Sequence, residues 1–232
     1  MEDIKNIIDA QRDLKRRAKT LRTVGDFAGA ESCISRALEK LLSFEASPLL
    51  EPNEGLSLYT ELADCYGILG GIYRRWALKE IQQDIRTAKL ELSCKAYDSG
   101  YVFEQKCGSL VSYNMLNRLV SRILSDPSWL NVSDNESEAR KLLEESLMVI
   151  ESQIAKNRDD IWAMADSGLN KLLLNEQDVI ACFSGFVDLH PTISDYKSIL
   201  DTLQPLASLD IDAAESIQKA TRYLEQAKGF NG

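Results

Sequence analysis

A chain of 232 residues with 44% apolar composition is long enough to bury a substantial core, and its formal charge of −9 argues against a general nucleic-acid binder, because binding a polyanion begins with a positive field. No stretch approaches the roughly 18–20 uninterrupted apolar residues of a membrane span, and the opening MEDIKNIIDAQRDLKRR lacks the apolar core of a secretory signal, so a cytoplasmic protein is expected. With only 12 Gly and 5 Pro, and with Leu, Ala, Glu, Lys and Ser dominant, the composition is that of helices rather than strands.

Apolar residues recur at three and four, never convincingly at two. The first predicted helix, 2–23, carries Ile4, Ile7, Ile8, Leu14, Ala18 and Leu21, and Gly25-Asp26 separates it from a second at 27–46. The Ser47-Pro48 to Pro52-Asn53 linker precedes helices at 55–82 and 85–105, whose separating break has no Gly or Pro. Gly108-Ser109 and Asp126-Pro127 bracket a helix at 109–125, and Ser133 with Glu136 forms a capping box for the next at 135–156. Helices at 159–174, 177–188, 193–207 and 211–228 follow, with Pro191 dividing the middle pair. Ten helices on short connections pack as antiparallel pairs, 2–46, 55–105, 109–156, 159–188 and 193–228. Stacking those pairs covers their apolar faces in one domain spanning 1–232.

Two strings carry a family resemblance. Val24-Gly25-Asp26-Phe27-Ala28-Gly29-Ala30, with Ala37 seven residues on, resembles the turn and second helix of a tetratricopeptide repeat. Tyr66-Gly67-Ile68-Leu69-Gly70-Gly71-Ile72-Tyr73 resembles that family's W-x2-L-G-x2-Y pattern, with Ser93, Tyr97 and Gly100 at the small, aromatic and small positions of the following helix. Weaker copies run from Tyr113 through Leu116 to Ala139 and Leu143, and from Trp162 through Ala165 and Leu169 to Phe183, Phe186 and Pro191. Equivalent openings at Leu14, Tyr66, Tyr113, Trp162 and Tyr196 are 52, 47, 49 and 34 residues apart, so the repeats are lengthened relative to the standard of about 34. A spacing near 47 also falls in the HEAT range, though HEAT repeats do not explain either string. The long helices are similar to bacterial tetratricopeptide proteins related to the TRAF-binding region of mitogen-activated kinase kinase kinases. The resemblance implies an all-α, right-handed α-solenoid without β-sheet, and protein binding in a signalling setting.

Candidate chemistry is sparse. His190, the sole histidine, precedes Pro191 at a helix end and reads as a residue favourable to the helix dipole rather than an acid-base catalyst. Cys33, Cys65, Cys94, Cys107 and Cys182 lack zinc spacing and a base for each thiol, which predicts reduced, mostly buried side chains. Gly70-Gly71 lacks the Lys-Ser or Lys-Thr of a phosphate loop, and the pairs Glu144-Glu145 and Asp159-Asp160 diverge by about 100° on a helix, so neither converges on one ion. Trp76 and Trp162 are expected in the core, with Trp129, in a loop after Asp126-Pro127-Ser128, the best candidate platform. No enzyme, metal or cofactor is expected.

One pattern stands out as basic. Arg12, Lys15, Lys19 and Arg22 are spaced three or four apart and share one face of the first helix. By the tetratricopeptide resemblance that face is the concave inner one, and the equivalent positions downstream hold Arg74 and Arg75, then Asn114, Arg118 and Arg122, then Asn170 and Lys171. Like charges four apart cost a helix roughly 0.2–0.5 kcal/mol per pair, so the ladder gains nothing locally. It reads either as a groove for an acidic peptide or partner surface, or as a solvated face paired with acids of the chain such as Asp64 and Asp160. An adaptor that binds an acidic protein partner is the expected function. The alternative is a self-associating scaffold using the solenoid ends, with Ile217, Ala220, Tyr223 and Leu224 of the last helix as cap or contact.

Overall fold

A computed structural model describes residues 4–45, 52–108, 111–130 and 137–230, which are all helical or connecting, with no strand among them. Ten α-helices follow in order: α1 Ile4–Val24, α2 Phe27–Glu45, α3 Pro52–Ala77, α4 Gln83–Lys106, α5 Ser112–Ser125, α6 Glu138–Lys156, α7 Ile161–Leu173, α8 Val179–Asp188, α9 Ile193–Ala207 and α10 Ala214–Phe230. A 3-10 turn at Pro127–Trp129 joins α5 to its successor. Contacts group the chain into two compact units, Met1–Leu110 and Val111–Gly232, where the sequence reading has a single domain over 1–232.

In unit 1 each break has a chemical cause. Gly25 takes φ +85°, a left-handed conformation that costs glycine nothing. Asp26 then accepts from the Gly29 backbone N–H at 2.9 Å and starts α2. Without Gly or Pro to set the next break, α3 stops at Ala77, five residues short of the expected 82. Here α1 packs on both α2 and α3, α2 on α3, and α3 on α4. Their shared core holds Ile7, Ala18, Ile34, Leu41, Leu58, Leu62, Cys65 and Ile72. Lys15 meets Asp64 and Arg22 meets Gly71, both pairs 49 residues apart, so α1 and α3 run side by side in the same direction. The α3–α4 approach is close because Gly70 leaves room for the Tyr97 ring, and Ser93 Oγ donates to the Gly70 carbonyl at 2.9 Å.

Unit 2 caps α6 to α9 with side chains. Ser137 accepts from Arg140 N for α6, Asp160 from Trp162 N and Ala163 N for α7, and Asp178 from Ala181 N for α8. Thr192 and Asp195 make a full capping box for α9. The expected box at Ser133 and Glu136 lies outside the described residues. Helices α5, α6 and α7 contact one another in every pairing, and α7 meets α8, α8 meets α10, and α9 meets α10. α5 also touches α9, a contact that stacking of nearest neighbours alone does not include. On the apolar side of α10, Ile217, Ala220 and Leu224 are fully buried and Tyr223 is half-buried, and the helix packs on α8 and α9.

Candidate functional site

The four cations of α1 meet different fates. Arg12 is exposed and pairs with Asp9 one turn back at 2.8 Å, and Lys19 is exposed. Lys15, only 14% exposed, bridges to α3, where Glu61 and Asp64 take its ammonium, the latter at 2.8 Å. Burial works to lower the Lys15 pKa, but the hydrogen bonds and charges of Asp64 and Glu61 outweigh it and raise the value above 10.5. The same surroundings push the buried Cys65 thiol up to about 12, chiefly by desolvation and then by the charge of Glu61, which makes it an inert packing residue. Arg22 is half-buried, and its Nη1 lies 3.1 Å from where a Gly71 Cβ would stand.

On α3, Arg74 sets its guanidinium 5.9 Å from the centre of the Tyr97 ring, and Arg75, four residues after Gly71, shares the Gly71 face. Lys19, three before Arg22, shares the Arg22 face of α1. Unit 1 therefore sets Arg22 at Gly71, where α1 meets α3, with Lys19 and Arg75 on the same helix faces, and sets Arg74 against Tyr97 of α4. Arg22, Arg74 and Arg75 also interact within the chain.

The unit 2 candidates are tied up differently. Arg122 donates to Glu138 through both terminal nitrogens, at 3.4 and 3.0 Å, and lies 4.3 Å over the Trp129 ring. The Trp129 indole N–H donates to the same carboxylate at 3.0 Å, so Trp129 is a staple between α5 and α6 and no open platform. These donors hold the Glu138 pKa below 4.5, with the Trp129 bond the largest cause. Arg118 is half-buried, adds to the positive charge at Glu138 and has its own interactions within the chain, as does the buried Asn114. Asn170 is fully buried with neither amide atom hydrogen-bonded, and Lys171 beside it is half-buried.

Other candidates fall out. His190 is exposed beyond α8 at φ +53°, its N–H closing onto the Val187 carbonyl at 3.1 Å, which makes it a helix terminator. The five cysteines form no disulfide, and among the described residues no group of three or more His, Cys, Asp or Glu side chains is placed to hold a metal. No helix of the described residues is long and apolar enough to cross a membrane. Trp162, expected in the core, is 47% exposed at the start of α7, where the first turn buries Ala163 instead. Trp76 stacks on Phe27 with ring centres 6.0 Å apart, and the Lys89 ammonium sits 3.4 Å from the Trp76 ring centre.

Residues that pattern reading passed over are Glu61, Glu138 and, as more than a packing group, Tyr97. Glu61 stands one helical turn before Cys65 on the helix that faces Lys15, but nothing local marks it as a partner 46 residues away. Comparison with protein-family models, curated proteins and solved structures returned no match.

Proposed function

We propose that the chain is a protein-binding module of the tetratricopeptide type, an adaptor or regulatory subunit whose α1–α3 face takes an acidic peptide or partner surface. The observation that carries this reading is the parallel seating of α1 and α3, the arrangement of first helices in successive hairpins, with Arg22 at Gly71 where they meet, Lys19 and Arg75 on the same helix faces, and Arg74 against Tyr97. Half-buried arginine is the residue suited to gripping carboxylates through paired N–H donors, and it stays charged at any working pH. Of the ten residues read from the sequence, these four are taken as the binding face. Arg12 and Lys15 are bound to Asp9 and to Glu61 and Asp64, and Asn114, Arg118, Arg122 and Lys171 belong to unit 2, while Arg22, Arg74 and Arg75 keep their own contacts within the chain.

A labelled Glu-rich peptide and its Gln counterpart provide the test. The Glu-rich peptide is expected to bind and to lose affinity as salt rises, and the Gln peptide is expected not to bind. Lys19→Glu and Arg75→Glu are expected to abolish binding, whereas Arg36→Glu, on the exposed side of α2, leaves it unchanged. Equal behaviour of the α1–α3 and α2 variants removes this reading. A self-associating scaffold is the second reading, favoured by Ile85, Leu92 and Val102, which α4 leaves 37%, 37% and 47% exposed. Light scattering over a range of concentrations separates the two.

A further inference from the structure

Two arginines from different helices come close to one tyrosine. Tyr97 of α4 is fully buried, its ring carbons 2.8 Å from where a Gly70 Cβ would stand and its hydroxyl oxygen 3.4 Å from the corresponding position at Gly71. Arg22 reaches that second position from α1, with Nη1 at 3.1 Å, while Arg74 of α3 lies over the Tyr97 ring. The neighbouring glycines thus have separate tasks. Gly70 admits the ring, and Gly71 admits the Arg22 guanidinium.

The paired N–H donors of one arginine already saturate a planar carboxylate. A phosphate monoester carries close to two negative charges and three strong acceptor oxygens that point in different directions. Guanidinium groups approaching from two helices, with Lys19 and Arg75 on the same faces, suit that anion better. The geometry points to a phosphate subsite at Arg22 and Arg74 that takes a phosphorylated side chain of a bound peptide, with Gly71 and Tyr97 as positioning residues. This rests on the α1–α3 face being a peptide-binding surface.

Three short peptides that differ at one position, phosphoserine, glutamate or serine, serve as probes of the full chain by calorimetry and by the arginine Nε–H signals in NMR spectra. The phosphoserine peptide is expected to bind about tenfold more tightly than the glutamate peptide and to shift the Arg22 and Arg74 signals. Arg22→Lys keeps the charge but loses the fork, so it is expected to erase that tenfold preference while glutamate binding persists. Gly71→Ala crowds only the end of the flexible Arg22 side chain, meets the Tyr97 hydroxyl at ordinary contact distance and improves helix propensity, so it is expected to melt no lower than the parent and still lose the preference. Equal affinity for the phosphoserine and glutamate peptides overturns the subsite and leaves the anion-binding face standing. Binding of neither peptide overturns both. A phosphoserine preference that survives Arg22→Lys and Gly71→Ala overturns the assignment to this place.

Discussion

Residues 1–110 hold 16 Lys and Arg against 17 Asp and Glu, whereas residues 111–232 hold 11 against 19. The acids of the second unit have identifiable work at helix starts. Asp126 caps the 3-10 turn, Asp160 caps α7, Asp178 caps α8 and Asp195 completes the box of α9, while in the first unit Asp26 does this for α2. Cations are paired in both units, Lys15 with Glu61 and Asp64 and Lys106 with Glu45 in the first, Arg122 with Glu138 in the second. Unit 1 also holds the exposed Lys19 and the half-buried Arg22, Arg74 and Arg75. Net charge therefore says little about where the charges of a chain are used.

Both units press a ring from one helix into its hairpin partner at a glycine, and this shared device is the place where the comparison is easiest to break. At Gly168 of α7 an added Cβ would stand 2.7 Å from the Phe183 ring and 2.8 Å from the Cys182 carbonyl oxygen, and neither can move away. Gly168→Ala is expected to cost about 3 kcal/mol, the upper end of overpacking, and Gly70→Ala, which meets the Tyr97 ring alone, about 2 kcal/mol. Gly185→Ala meets the Met164 sulfur at 2.9 Å, the end of a flexible chain, and is expected to change stability by less than about 0.5 kcal/mol. Urea unfolding midpoints rank the three. Equal values would mean that ring rigidity does not decide the cost.

The Lys15 bridge sharpens the comparison of cation pairing. Lys15→Met leaves Glu61 and Asp64 facing each other without the ammonium, at an expected cost of about 1–2 kcal/mol. Because the folded-state pKa of Lys15 is raised, its contribution is complete below 10.5 and is lost as pH climbs through the higher folded value. The parent is thus expected to lose stability on the alkaline side with a slope that Lys15→Met lacks. Identical alkaline slopes in the two proteins would remove Lys15 from that account.

Much of the helix layout was legible in the pattern, since spacing at three and four, Gly25, Gly108 and Pro191 are local signals that packing did not override. Helix ends set by other forces were harder to place. Ala77 closes α3 with no Gly or Pro nearby, and the 3-10 turn at Pro127–Trp129 depends on Asp126 accepting from Ser128 N. The basic face of α1 was readable from spacing alone. Which acids its cations would meet was not, because Glu61 and Asp64 lie 46 and 49 residues from Lys15, and only the parallel seating of α1 and α3 brings them together. Trp162 shows the same limit, because nothing local says that the first turn of α7 will bury Ala163 and leave the larger ring 47% exposed.

Capping separates the units more gently. Asp160 accepts from Trp162 N at 3.1 Å and Ala163 N at 3.0 Å, so Asp160→Ala is expected to cost about 1 kcal/mol, while Asp160→Asn keeps most of it. Thermal unfolding of both variants measures the difference. Equal losses would show that the carboxylate charge, and not the acceptor oxygen, stabilises α7.

The smallest effect belongs to the Trp129 staple. Glu138 is 61% exposed, so solvent screening limits its pairing with Arg122 to a few tenths of a kcal/mol. Its pKa is depressed, so that stability is present above 4.5 and is lost as pH falls through the lower folded value. Protonation removes the charge that accepts from the Trp129 indole N–H and the Arg122 guanidinium, and the Arg122 cation over the ring is then released from its anchor. Trp129 emission, isolated by replacing Trp76 and Trp162 with Phe, is expected to step below pH 4.5, and Glu138→Gln is expected to abolish the step. A step that persists in Glu138→Gln would assign it to another carboxylate and leave unit 2 without this acid-held cation.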